Sequence, residues 1–147
     1  MHQTFLSVNA RIALIALVLT ACSGASPAPK GWLAIPGSSD AWSRGRGADR
    51  QEYSYGQKRF SGTLQDLASA VAIDVLLHNR GAKLRSSEPF APCPGAAGVA
   101  TVGLPGGKTL REGFAVRDAL AVRTVYALPA GAQPDPDVQA AMQNVLC

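Results

Sequence analysis

Hydrophobic side chains recur at helical spacing in residues 63–80. The apolar positions that repeat three and four residues apart are Leu64, Leu67, Ala68, Val71, Ala72, Val75 and Leu76. Ile73 and Leu77 widen this stripe, which therefore predicts a long, well-buried helix. Thr63 and Asp66 have the spacing of a capping box, which indicates where the helix begins.

A second helical pattern covers residues 135–146. Its apolar positions are Val138, Ala141, Met142, Val145 and Leu146. Asp135 followed by Pro136 is typical of an N-cap and the first helical residue. The pattern predicts an amphipathic terminal helix that packs by one face.

Six further segments are apolar or alternate between apolar and polar residues, as strands do. These predicted strands cover residues 32–35, 51–58, 82–86, 99–104, 109–117 and 120–128. Short turns separate the last three, so we expect them to pair antiparallel. Residues 43–50 are rich in glycine and arginine and predict a loop. Residues 88–98 contain three prolines and predict an irregular elbow.

The order of elements is therefore β, β, α, β, β, β, β, α. Helices placed among antiparallel strands predict a single α+β domain. We expect an antiparallel sheet flanked by the long helix at about 63–80 and a C-terminal helix at about 135–146.

This element order, together with Trp32, Phe114, Tyr126 and the terminal helix, resembles the Mog1/PsbP-like fold over residues 31–147. The resemblance implies a small non-enzymatic protein that binds other proteins, in a family that includes exported lipoproteins. It implies no functional residue.

The N-terminal segment has the layout of a secretory signal, because an uninterrupted apolar run at residues 12–19 follows Arg11. A membrane-spanning helix needs about 20 apolar residues, so this run is too short to be one. The residues that end the segment are Leu19, Thr20, Ala21 and Cys22.

Those four residues resemble the lipobox of bacterial lipoproteins. The resemblance implies cleavage between Ala21 and Cys22 and acyl chains, such as palmitate, on Cys22. An ordinary signal peptide cleaved before Ser23 or Ala25 is the alternative.

The lipobox divides the chain into a signal peptide at 1–21, a lipidated cysteine with a flexible tether at 22–30, and a globular domain at 31–147. It implies a lipid-anchored protein of the cell envelope. Ser23 resembles the residue of lipoproteins sorted to the outer membrane. In an organism with one membrane, the protein would lie on the outer face of the plasma membrane.

Charge and cysteine content constrain the exported chain further. Removing Arg11 from 14 Lys and Arg leaves 13 against 10 Asp and Glu, or +3, which is too modest an excess to favour nucleic-acid binding. Besides Cys22, the chain has Cys93 and Cys147. In an oxidising compartment two such thiols usually form a disulfide, and two free buried thiols are the alternative.

The sequence contains no recognisable catalytic constellation, metal-binding cluster or cofactor motif. The processed chain keeps one histidine, His78, four residues after Asp74 in the predicted helix, where a solvated histidine is the simplest interpretation. A hydrolytic enzyme is the remote alternative. It would need Asp74, Glu88 or Glu112 to converge in a cleft with raised pKa values.

Arg44, Arg46 and Arg50 form a candidate interaction patch for an envelope protein or an anionic envelope polymer, and a solvated loop is the alternative. The predicted function is a non-catalytic protein-interaction module, with an exposed apolar or basic patch and no ordered polar cleft. The main alternative is a small-ligand-binding lipoprotein. It would have a pocket between the long helix and the sheet, lined by Trp32, Trp42 or the tyrosines.

Overall fold

A seven-stranded antiparallel sheet with one helix on each face makes up the fold. The computed structural model describes residues 27–147, and the predicted signal peptide, cleavage site and Cys22 lie outside that range. The strands are β1 Leu33–Ala34, β2 Ala41–Arg44, β3 Gln51–Arg59, β4 Lys83–Pro89, β5 Ala97–Gly103, β6 Thr109–Arg117 and β7 Leu120–Leu128, and the helices are α1 Leu64–His78 and α2 Pro136–Leu146. The strand order is β1-β2-β3-β7-β6-β5-β4. The predicted α+β class and both flanking helices are confirmed.

Alternation along the central strands separates two cores. In β7, Val122 and Tyr126 face α2, whereas Ala121 and Ala127 face α1. Successive strand side chains point to opposite faces, so each helix packs on its own set of strand residues. Helix α2 lies over β6 and β7, and α1 lies over β4, β5 and β6.

Helix α1 begins at a complete capping box. The Thr63 hydroxyl accepts a hydrogen bond from the Asp66 amide at 3.1 Å, and the Asp66 carboxylate accepts one from the Thr63 amide at 2.8 Å. Only Leu67, Val71 and Val75 of this helix are fully buried. The prediction of a well-buried helix is wrong, because the sequence offers more apolar surface than the sheet can cover.

Helix α2 is held by a buried face and by a polar cluster at its start. Val138, Met142 and Leu146 are fully buried on the sheet. Asp135 is the N-cap, and its carboxylate also accepts hydrogen bonds from Trp32 Nε1 at 3.3 Å and from Arg44 at 2.8 Å. The first strands of the chain are thereby tied to the last helix.

Strand β2 is not among the predicted strands, and two of its residues, Ser43 and Arg44, fall in the predicted loop. Trp42 is buried there and stacks on Tyr53 of β3, with ring centroids 6.0 Å apart. A four-residue strand with one large apolar side chain carries almost no periodic signal. Its identity depends on the pairing with β3, which sequence spacing does not show.

The predicted elbow at residues 88–98 is shorter in the structure, because β4 continues to Pro89 and β5 begins at Ala97. Proline is tolerated there because β4 is an edge strand. Gly98 lies opposite Phe114, and a Cβ at Gly98 would come within 2.5 Å of the Phe114 ring. Glycine is therefore required where the two strands and the ring meet.

No helix in residues 27–147 is long and apolar enough to cross a bilayer.

The elbow is joined to the end of α2 through Cys93 and Cys147, the pair that the sequence analysis names. Their Sγ atoms lie 2.04 Å apart, at disulfide distance, and their Cα atoms are 5.8 Å apart. The two cysteines are separated by 54 residues, so the cross-link closes a long loop across the domain.

Replacing both Cys93 and Cys147 by Ala should lower the free energy of unfolding by about 4 kcal/mol, because a loop of this length loses much entropy when it is closed. Urea denaturation of the oxidised protein and the double variant measures the difference. Non-reducing peptide mapping of the native protein should recover the two cysteines in one cross-linked pair. Recovery of two free thiols would contradict the disulfide.

Candidate functional site

Two of the three acids singled out from the sequence meet at one arginine in a groove beside α1. Arg123 of β7 donates to Glu112 Oε2 at 2.7 Å, and its two terminal nitrogens each lie 3.1 Å from Asp74 Oδ2. The three side chains come from β7, β6 and α1, so the ion pairs join the helix to the sheet. Glu88 does not take part and lines a separate groove on the other side of α1.

Glu112 is a buried carboxylate, with only 4% of the residue exposed. Burial raises the pKa of Glu112 above its ordinary value, and the hydrogen bond and positive charge of Arg123 oppose that shift. A carboxylate removed from water is costly unless it is paired and hydrogen-bonded. Arg123 supplies both interactions, so its first role is to stabilise Glu112.

His78 extends this charged cluster toward solvent. Its Nδ1 lies 3.1 Å from the Asp74 carboxylate and 2.8 Å from the Asp74 carbonyl oxygen. The groove around the cluster has a volume of about 470 Å³ and is also lined by Ser54, Tyr55 and Lys58 of β3. It is an ordered polar cleft, which the interaction hypothesis did not expect.

The chemistry open to this groove is limited by its own ion pairs. Both carboxylates are bound to Arg123, so neither lies free beside a nucleophile, and His78 is largely exposed. Within residues 27–147, no group of three or more His, Cys, Asp or Glu side chains is placed to hold a metal ion. The arrangement is that of a clamp between α1 and the sheet.

The Arg123–Glu112 contact has a signal in the sequence that hydrophobic periodicity does not show. The turn at Asp118 and Ala119 fixes the β6–β7 register, in which Arg123 lies opposite Phe114. Glu112 is then the diagonal neighbour on the same face. Opposite charges in that relation across a two-residue turn indicate a cross-strand ion pair.

The three arginines of the candidate patch differ in whether a carboxylate lies beside them. Arg44 is bound to Asp135 at the start of α2, and Arg50 lies 3.0 Å from Glu52. Arg46 is exposed at the loop between them. Two of the three positive charges are therefore already offset by carboxylates.

A pocket does lie between the long helix and the sheet, but the residues that line it differ from those predicted. A groove of about 630 Å³ separates α1 from β4 and β5, and its apolar walls include Leu64, Leu84 and Phe114. Trp32 and Trp42 lie instead in the core under α2, on the opposite face of the sheet. The prediction is therefore wrong for the tryptophans, whereas Tyr55, one of the tyrosines given as the alternative, lines the groove on the other side of α1.

The outer side of α1 exposes large apolar side chains. Leu77 is 77% exposed, Ile73 59% and Leu76 42%. They are spaced three and four residues apart, so they share one face of the helix, away from Leu67, Val71 and Val75. Isolated exposed leucines are common on protein surfaces, but a contiguous apolar face on one helix usually marks an interaction site.

Neither a family model nor a curated protein matches this chain. Among solved structures, it is similar to the solution structure of cyanobacterial PsbP (CyanoP) from Synechocystis sp. PCC 6803. The TM-score is 0.48, with 16% sequence identity over 80% of each chain. No statement about the function of this chain follows from a similarity of this size.

Replacing Arg123 by Met should lower the free energy of unfolding at pH 7.5 by about 3 kcal/mol, because Glu112 is left buried without a counter-ion. The penalty should shrink toward pH 4.5. Burial raises the pKa of Glu112, and in the variant Arg123 no longer opposes that shift, so the folded variant holds the Glu112 proton to higher pH than the wild-type protein or the unfolded chain does. The stability contributed by that proton is complete below about pH 4.3 and is lost as the pH rises through the folded pKa. Urea denaturation between pH 4.5 and 7.5 measures the effect.

The matched control is Arg46→Met, which removes an exposed arginine and should change stability by less than about 0.5 kcal/mol. The double variant Arg123→Met with Glu112→Gln should recover much of the loss and its pH dependence. An Arg123→Met penalty that is equal at pH 4.5 and 7.5 would show that an ionised Glu112 is not its cause.

Proposed function

We propose that this protein is a lipid-anchored, non-catalytic module of the bacterial cell envelope that presents the outer face of α1 to a partner protein. The observation that carries the proposal is the exposure of Ile73, Leu76 and Leu77 on one side of a helix. The partner would offer an apolar surface of matching length.

The apolar face is favourable for binding because its burial releases water from large side chains. Each buried square ångström of apolar area contributes about 25 cal/mol, so three large side chains can supply most of a weak interaction. The arginine patch is a poorer docking surface, since Arg44 and Arg50 already have carboxylate partners.

Anchoring through Cys22 would place the α2 side of the domain toward the membrane. Ala28 packs against the core that also holds α2, so the chain joins the domain on that face of the sheet. Residues 22–27 could span at most about 20 Å when fully extended. Helix α1 lies on the opposite face, so the proposed orientation presents its outer side to other proteins.

A catalytic role has less support than binding. The carboxylates that an enzyme would need converge at Arg123, where both are bound. The ion pairs instead position α1 on the sheet, and the position of α1 determines which of its side chains face solvent.

Replacing Cys22 by Ser should move the protein from the membrane fraction to the soluble fraction of envelope preparations, because the acyl chains would have no attachment site. Metabolic labelling with a fatty-acid analogue should mark the unaltered protein and not the variant. Retention of Cys22→Ser in washed membranes would contradict the lipid anchor.

A photo-reactive amino acid at Leu77 should capture a defined protein in intact cells, whereas the same residue at Leu33 should not. The two leucines are a matched pair, because Leu33 is 75% exposed but lies in a short edge strand outside α1. Adding Ile73→Ser should remove the product captured at Leu77. Equal products from both positions would mean that α1 has no special role.

A further inference from the structure

The outer side of α1 has a graded composition from one end to the other. Its exposed residues at three- and four-residue steps are Asp66, Ser69, Ala70, Ile73, Leu76 and Leu77, and Arg80 is exposed in the turn two residues after the helix ends at His78. We call these seven positions the outer stripe. The acidic end and small side chains come first, Ile73 is central, and the large side chains and the basic end follow.

The outer stripe is complementary to a second outer stripe that runs in the opposite direction. Asp66 lies two helical turns before Ile73, and Arg80 lies beyond the opposite end of the helix, in the turn after Asn79. Ser69 and Leu77 are each four residues from Ile73, and Ala70 and Leu76 are each three. In an antiparallel pair that crosses at Ile73, each large side chain therefore meets a small one, and each acidic end meets a basic end.

We propose that the outer stripe binds a second copy of this chain, with the two α1 helices antiparallel about a twofold axis at Ile73. This proposal rests on the proposed function, because it names the partner of the same docking face. A twofold interface uses one patch twice, so residue i contacts residue j and j contacts i. The outer stripe meets that requirement in both size and charge.

The charges at the two ends are available for this contact. Arg80 forms no ion pair within residues 27–147. The Asp66 carboxylate caps its own helix through one hydrogen bond from Thr63 and is exposed. A charged oxygen accepts several hydrogen bonds, so it can cap α1 and still attract Arg80 of a second copy.

Ser69 and Ala70 allow the two helices to approach closely. Packed helix axes lie about 8–10 Å apart, and the distance depends on the side chains at the contact. Leu76 and Leu77 of one copy would fill the space above Ala70 and Ser69 of the other. The two helix dipoles would be antiparallel, which also favours this orientation over the parallel one.

A contact of one helix on one helix is small. Interfaces that bury less than about 1,200 Å² are typically weak and transient. A shared membrane anchor would raise the effective concentration of the two copies without adding any contact. We therefore expect self-association to be clearest with the lipidated protein in its membrane.

Disulfide cross-linking in isolated membranes tests the twofold axis. The full-length protein carrying Ile73→Cys is expressed in bacterial cells, and the membranes are oxidised with copper phenanthroline. Residue 73 should lie beside its own copy, so Ile73→Cys should give a dimer on non-reducing gels at least five times more abundantly than Ala140→Cys. Ala140 is a matched control, because it is an exposed residue of the other helix, α2.

A mixed experiment tests the antiparallel register. Ala70→Cys and Leu76→Cys should cross-link to each other when co-expressed, and each should cross-link much less with itself when expressed alone. Equal yields in all pairings, or no excess of Ile73→Cys over Ala140→Cys, would overturn the dimer. The native Cys93–Cys147 pair, followed by peptide mapping, shows that every variant is folded.

The outcome also separates this inference from the proposed function. Capture of a different protein at Leu77, without cross-linking at Ile73→Cys, would overturn self-association and leave the docking face intact. The absence of any specific product in both experiments would overturn the two proposals together.

Discussion

The orientation of α1 depends on one guanidinium group held between two carboxylates. Arg123 bonds to Glu112 on the neighbouring strand and to Asp74 on the helix. Without it, Glu112 would be a buried negative charge with no partner, and α1 would rest on three fully buried apolar residues. Ion pairs of this kind add little net stability compared with apolar packing, but they are specific in direction. The bridge therefore determines which side of an apolar helix faces the sheet.

The two helices are attached by different physical means. Helix α2 buries a continuous apolar face, is capped by a residue that also binds Trp32 and Arg44, and ends at a cysteine within disulfide distance of Cys93. Helix α1 has three fully buried residues in fifteen, against four in eleven for α2, and it has a groove along each side. Because only α2 ends at a cysteine within disulfide distance of another element, α1 should open before α2.

Sequence patterns predict the helices and strands of this fold better than they predict which side chains are buried and which pair with each other. The capping box and hydrophobic repeat located α1 closely, and the N-cap located α2, because these signals are local in the chain. Strand β2 was missed, since Trp42 becomes recognisable only when paired with Tyr53. Ile73 and Leu77 were predicted to be buried because periodicity records apolar side chains and not the width of the sheet beneath them. The Arg123 cluster required the register of β6 and β7, which the turn at Asp118 and Ala119 fixes but hydrophobicity alone does not.

The exposed apolar side chains of α1 contribute less to the core than to the surface, so their role in binding needs to be considered. If α1 served only to complete a core, polar residues at 73 and 77 would improve solubility at little cost in packing, because both positions are mostly exposed. Their exposure has a cost in aggregation risk, which a second surface removes when it covers them. The small and large residues are arranged in reverse order on either side of Ile73, and the charges at the two ends are opposite. A second copy of this surface has the complementary arrangement of small, large and charged residues without any further change in sequence. An unrelated partner would need to have that arrangement independently.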